Sequence, residues 1–161
     1  MARAAANRRE DIACEEVSDA ALRGFAGYNI KRASNVMQAD LARTLAPFGL
    51  RMITFTALML IVENPGLSQT QLAGMLAVER SNLVTIVDDL EGNGWISRNP
   101  SPTDRRSHAL HATATGEGHC RKALAAVRAH EEKLLAGLRD EELAVLISAL
   151  RTIESGATGG A

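Results

Sequence analysis

The sequence predicts a mainly helical fold with one short β ribbon, and three observations carry that expectation. Apolar residues recur at steps of three and four over long stretches near both chain ends, the spacing of one helix face. The 161 residues are 46% hydrophobic but only 3% aromatic, so the core is built from Ala, Leu, Val and Ile, which favours helices. Trp95 to Asn99 and Ser107 to Ala112 instead alternate apolar and polar residues, the period of paired strands. The length suits one domain large enough to bury a substantial core.

Residues 1–17 are polar and charged without a period and are expected to form a flexible arm. Ser18-Asp19 can cap a helix. Leu22, Phe25, Ala26, Ile30, Ala33, Met37, Leu41 and Leu45 continue it to Ala46, where Pro47 and Gly49 end it. An apolar face of this length needs a large partner, so the helix packs on another subunit or on the C-terminal helices. Met52 to Glu63 is apolar almost all round and should be a buried helix. Thr113 caps another long helix to about Leu135, with Cys120, Leu124, Val127 and Leu134 as its apolar positions. After a break near Gly137, Leu143, Leu146, Leu150 and Ile153 form the stripe of a last helix. The tail 155–161 is rich in Gly, Ala and Ser and is expected to be disordered, which leaves a single domain over 18–154.

Ser68 to Ala112 organises the chain. Pro65-Gly66 prevents the preceding helix from running through. Ser68-Gln69-Thr70-Gln71 then reads as a capping box that opens a short helix. A second helix, roughly Glu79 to Gly92, puts Leu83, Ile86, Val87 and Leu90 on one face and Arg80, Ser81, Asn82 and Thr85 on the opposite one. Asn93-Gly94 tolerates the positive φ that a helix end requires. A ribbon follows, its strands joined by the loop from Pro100 to Arg106. Helix, turn, helix, β-hairpin is a winged helix-turn-helix, here about 52–112 with a two-stranded wing. A helix of this size fits the DNA major groove, and an arginine-tipped hairpin reaches the neighbouring minor groove.

The stretch resembles the MarR family of bacterial transcription regulators. The resemblance rests on Asp104-Arg105-Arg106 (Asp-x-Arg in the family), the helix end Asp89-Leu90-Glu91-x-x-Gly94, and Thr113-x-x-Gly116 after the ribbon. It covers about Leu22 to Ile153. It implies that the helices at about 18–46 and 113–153 intertwine into a homodimer, which sets two winged motifs on one face of a pseudo-palindromic operator in double-stranded DNA. It also implies a small effector bound between the dimer helices and the winged part. Gly27-Tyr28-x-x-Lys31-Arg32-Ala33 and Gly49-Leu50-Arg51-Met52-x-Thr54-Phe55 are most similar to members controlling aromatic-acid catabolism, some of which respond to aromatic acyl-CoA thioesters.

Charge sets limits on that function. The net charge is −1, from 18 basic against 19 acidic residues, which argues against coating nucleic acid non-specifically over a large surface. A local patch remains, with three arginines and one aspartate between Arg98 and Arg106. The longest apolar run, Met52 to Val62, falls well short of a membrane span, and the N-terminus carries no apolar stretch of a secretion signal. Cys14 and Cys120 lie far apart, as suits a reducing cytoplasm. No nucleophile elbow, phosphate-cradling glycine loop or carboxylate pair beside a base supports an enzyme, and no cofactor is expected.

The DNA candidates are therefore Arg80, Ser81, Asn82 and Thr85 on the second helix, with Ser68, Gln69, Thr70 and Gln71 at a helix N-terminus suited to phosphate. Asp88 and Asp89 would repel phosphate, so only the first two turns of the second helix should enter the groove. In the wing, Asp104 resembles the family acid that orients Arg106, while Arg105 and Arg98 add positive charge. Tyr28, Lys31, Arg32, Met52, Phe55 and Met59 are the effector candidates: apolar walls with a basic anchor for an aromatic acid or its CoA thioester. His108, His111, His119 and Cys120 lack zinc spacing, and residues three apart on a strand face opposite sides, so no metal is expected. Three other readings stay open: a redox-sensing repressor acting through Cys14, a DNA-binding regulator without an effector, and a winged domain that binds protein.

Overall fold

The computed structural model describes residues 18–100 and 108–158, which fall into two compact units, one ending at Asn35 and the other beginning at Val36. In the first unit the long N-terminal helix starts later than Ser18-Asp19 suggests. The N–H groups of Leu22 and Arg23 donate to the Asp19 carbonyl (2.9 and 3.1 Å) and form a 3₁₀ turn over Leu22–Gly24. Phe25 is extended, at φ −100° and ψ 125°, and α1 (Ala26–Leu45) begins behind it. Two causes are visible. Gly24 loses more conformational freedom in a helix than any other residue. The Asp19 carboxylate that would cap the helix is taken instead by the Arg23 Nε–H (2.9 Å) and the Tyr28 hydroxyl (2.7 Å). Asn29 Nδ2 holds the break by donating to the carbonyls of Arg23 and Phe25.

The second unit is organised around α2 (Met52–Glu63), which buries Thr54, Phe55, Ala57, Leu58 and Ile61. Its first turn is closed by Thr54 Oγ1, which accepts the Arg51 N–H at 2.9 Å. Ala57, Leu58 and Ile61 meet Leu72 of α3 (Gln69–Leu76), Leu83, Ile86, Val87 and Leu90 of α4 (Arg80–Gly92), and Cys120 of α5 (Ala114–Leu134). Each fully buried Leu or Ile contributes about 1.5–3 kcal/mol relative to exposure. A second cluster joins Leu45, Leu50, Phe55 and Ala123. The last helix, α6 (Asp140–Thr158), continues through residues 155–158, which were expected to belong to a disordered tail. The Thr152 and Ser155 hydroxyls bond back to the carbonyls of Ser148 and Thr152 and so satisfy their polarity within the helix.

The wing has one strand more than its alternation suggests. β2 (Ile96–Pro100) pairs antiparallel with β3 (His108–Ala112), in a register that sets Ile96 opposite Ala112 and Arg98 opposite Leu110. A two-residue strand, β1 (Leu67–Ser68), pairs with the other edge of β3, so the order is β1-β3-β2. So short a strand carries no period of its own, which is why alternation could not reveal it. Among the described residues, no single helix is long and apolar enough to cross a membrane.

The Thr113-x-x-Gly116 stretch acquires a structural reason. Thr113 caps α5 by accepting the Gly116 N–H at 3.0 Å, and its hydroxyl donates to the Gly94 carbonyl at 2.7 Å. Gly116 lies so close to Trp95 that a Cβ there would stand 1.9 Å from the Trp95 carbonyl oxygen. His119, one turn on, stacks on the Trp95 ring at 4.2 Å between centroids, with its Nε2 2.9 Å from the Phe48 carbonyl oxygen. Gly116→Ala should therefore lower stability by about 1–3 kcal/mol through overpacking, read as a lower denaturation midpoint. Gly118→Ala, where a Cβ meets nothing within 4 Å, should leave the midpoint unchanged or raise it by up to about 1 kcal/mol of helix propensity. Equal effects of the two substitutions would show that the Trp95 contact is not tight.

Candidate nucleic-acid interface

At the start of α3, Ser68 Oγ accepts the Gln71 N–H at 3.3 Å, and Gln71 Oε1 accepts both the Ser68 N–H (3.0 Å) and the Ser68 hydroxyl (2.7 Å). These two side chains are spent on the capping box, so Gln69 and the exposed Thr70 present the remaining polar groups of that turn. The helix closes with Ala77 left-handed at φ 50°, and the Val78 N–H reaches the Ala73 carbonyl at 3.1 Å. That tight C-cap delivers the chain into α4 within two residues.

On α4 the division foreseen from periodicity is present. Leu83, Ile86, Val87 and Leu90 are buried, while Arg80, Ser81, Asn82 and Thr85 are all exposed, as is Val84. Short polar side chains on a helix backed by a rigid core can approach base edges, and asparagine pairs with adenine through two hydrogen bonds. The helix ends as Asn93 Nδ2 returns to the Asp89 carbonyl at 2.7 Å. Positive φ falls on Gly94 alone, at 72°, while Asn93 stays right-handed.

Arg98, expected to add positive charge beside the wing, already has partners on α4. Its guanidinium pairs with the carboxylates of Asp88 and Glu91, and its own N–H donates to Glu91 Oε1 at 3.2 Å. Sequence spacing hides this pairing, because the chain must reverse between helix and strand to create it. Asp104, Arg105 and Arg106, in the wing tip, lie outside the described residues, and so does Cys14.

The effector candidates fall into separate groups. In the first unit Tyr28 and Arg32 are brought together, Arg32 Nη1 lying 3.4 Å from the Tyr28 hydroxyl and 3.7 Å from Asp19 Oδ2. Arg23, not singled out from the sequence, completes this cluster beside the Tyr28 ring, although its i, i+4 spacing from Asp19 was a visible signal. The Tyr28 hydrogen bond and then the Arg23 hydrogen bond hold the Asp19 carboxyl below the usual carboxylate range. Lys31 is exposed. In the second unit Phe55 is a core residue, Met59 packs against both clusters, and Met52 is 44% exposed.

The three histidines singled out from the sequence and the described cysteine form no metal site. His108 is exposed, His111 is half-buried near Gly66, and His119 stacks on Trp95. Among the described residues no group of three or more His, Cys, Asp or Glu could hold a metal ion. Cys120 is buried with its Sγ 3.1 Å from Met59 Sδ, and burial, then Glu63, push its thiol pKa up. A protonated, enclosed thiol is a poor nucleophile.

Known proteins share this arrangement. The profile of the MarR family matches residues 50–108. A transcriptional regulatory protein assigned to the hcr operon of Thauera aromatica is 34% identical over 139 residues, which is 86% of this chain and 84% of that protein. Among solved structures, the transcriptional repressor CouR bound to a 23-mer DNA duplex superposes with a TM-score of 0.82 at 36% identity, over 86% of this chain and 99% of CouR. CouR bound to p-coumaroyl-CoA gives a TM-score of 0.76 at 34% identity, over 86% of this chain and 98% of that one. With the capping box, the two helices and the ribbon in place, and a relative matched over most of both chains, the chain belongs to the MarR family of DNA-binding transcriptional regulators.

Proposed function

We propose that the protein is a cytoplasmic repressor that acts by binding alone, without a catalytic step, and is released from its operator by an aromatic acid or an aromatic acyl-CoA thioester. The observation that carries the DNA half is the outer face of α4, where Arg80, Ser81, Asn82 and Thr85 stand exposed on a fully buried apolar backing. In this reading Asn82 and Thr85 meet base edges. Gln69, Thr70, Arg105 and Arg106 meet phosphate or the minor groove, with Asp104 orienting Arg106. The protein works as a homodimer. Leu146, Ile147, Leu150 and Ile153 of α6 are 40–57% exposed in the single chain, an apolar stripe that a second subunit would cover. The winged part at about 52–112 then reads DNA, and the helices at about 18–46 and 113–153 hold the subunits together.

The effector half is supported by the Tyr28–Arg32 pair, which already holds one carboxylate, that of Asp19, and by the p-coumaroyl-CoA bound to CouR. Arg32 or Lys31 would anchor a ligand carboxylate, or phosphates of a thioester. Met52, Phe55 and Met59 belong to the apolar wall of this reading. Release requires that the ligand favour a dimer whose recognition helices are misspaced, since equal affinity for both states shifts nothing.

Footprinting of the DNA upstream of its own coding sequence should show a protected pseudo-palindrome with half-sites about one helical turn apart. A uniform absence of protection would sink the operator reading. Asn82→Ala or Thr85→Ala should weaken binding unequally among operator variants, by about 1–3 kcal/mol where a base contact is lost. Arg105→Ala should weaken all sequences alike and flatten the salt slope by about one unit. For the effector, p-coumaroyl-CoA or a simple aromatic acid should raise the melting temperature and lower operator affinity together. Arg32→Ala should abolish both effects and leave operator binding by the free protein intact. A calorimetric screen of aromatic acids and their thioesters that finds no binding below millimolar would remove the effector and leave the DNA reading standing.

A further inference from the structure

The C-terminal half of α4 is acidic, and what this means for DNA rests on the DNA-binding reading above. Asp88, Asp89 and Glu91 crowd three acids into the last turns of this helix, where the helix dipole already disfavours negative charge. Phosphates approaching the first turns of α4 meet that field as repulsion. Arg98 is the group placed against it. Arg98 Nη2 pairs with Asp88 Oδ1, and its Nε stands 3.5 Å from Glu91 Oε2. That Nε is buried, with no hydrogen-bond partner among the described residues, and the side chain is only 25% exposed. Glu91 also accepts the Arg98 backbone N–H, so one carboxylate holds both the strand and its side chain. Arg98 sits opposite Leu110 in the β2–β3 register, at the root of the wing.

We infer that Arg98 is a positioning residue: it neutralises the acidic end of the recognition helix and ties the wing to it, and it does not itself touch DNA. The guanidinium is 25% exposed beside carboxylates that are 57% and 40% exposed. What holds it is the two-carboxylate geometry together with the Glu91 bond to its backbone N–H. Its departure would leave two acids without a counter-charge at a helix C-terminus. The clamp does two things for binding. It removes repulsion that would otherwise act on every DNA sequence, and it makes helix and ribbon move as one body. A direct phosphate contact and a clamp predict different results.

The test uses the full chain, a labelled duplex carrying the protected pseudo-palindrome, and a scrambled duplex of the same composition. Arg98→Met should weaken binding to both duplexes about tenfold or more near 0.1 M salt. The loss should shrink as salt is raised, since the repulsion that the substitution unmasks is screened. Adding Asp88→Asn and Glu91→Gln to Arg98→Met should restore affinity to within about threefold, because the uncompensated carboxylates are gone. Failure of those two substitutions to rescue the loss would overturn the inference and make Arg98 a phosphate contact. A second measurement holds even if Arg98→Met does not fold. In ¹⁵N-labelled wild-type protein the Arg98 Nε–H should exchange slowly with solvent and keep its chemical shift as DNA is added. Fast exchange in the free protein, or a large shift on binding, would equally overturn the clamp. Equal wild-type affinity for the two duplexes would count against the operator reading instead, leaving the rescue and exchange results to judge Arg98.

Discussion

Much of the second unit depends on one backbone oxygen, the carbonyl of Trp95. It accepts the Thr113 N–H at 2.9 Å and lies 3.2 Å from the Thr113 hydroxyl, and the first turn of α5 rests on it where only glycine fits. Residues at steps of three along that helix build the joint together. Thr113 caps, Gly116 clears the space, and His119 stacks on the Trp95 ring. On the other side Trp95 follows directly from the left-handed turn at Gly94 that ends α4. The contact therefore joins the end of α4, the start of the ribbon and the start of a long C-terminal helix. A close-packed joint of this kind leaves little room for the three elements to shift independently.

Electrostatics explains how a chain of net charge −1 can still bind a polyanion. What matters is where the charges lie. The outer face of α4 offers Arg80 and three uncharged polar side chains, while the acids of the same helix lie towards its far end. Two of those acids are matched by Arg98. Positive charge gathered on a small surface of a chain of low net charge limits non-specific binding to nucleic acid.

The first unit shows that Tyr28 and Arg32 can hold an anion, because they hold one. The Asp19 carboxylate, its pKa lowered first by the Tyr28 hydrogen bond, stands where a hydroxyl and two guanidinium groups converge. The two guanidinium groups are 50% and 54% exposed and the carboxylate 33%, so water screens these ion pairs and weakens them. Whether binding loosens an operator depends only on its difference in affinity between the two states of the protein.

The sequence by itself determined the elements whose signals are local. The Ser68–Gln71 box, the buried stripe Leu83, Ile86, Val87 and Leu90, the apolar helix at Met52–Glu63 and the Thr113 cap each lie within a few turns, where spacing and side-chain chemistry decide the outcome. The exposed face carrying Ser81, Asn82 and Thr85 was legible for the same reason, being the complement of that stripe. Tertiary structure decided whatever depends on residues distant in the chain. The two-residue strand β1 exists only because β3 presents an open edge to it, and Arg98 turns to Asp88 and Glu91 only because the ribbon folds back along α4. The late start of α1 came from competition for one carboxylate, which Arg23 and Tyr28 won over the helix cap. Phe55 and Met59 show the same limit, since hydropathy marks both as apolar but only packing places them in the core. Local patterns name the elements, whereas a side chain's partner is chosen by the three-dimensional path of the chain.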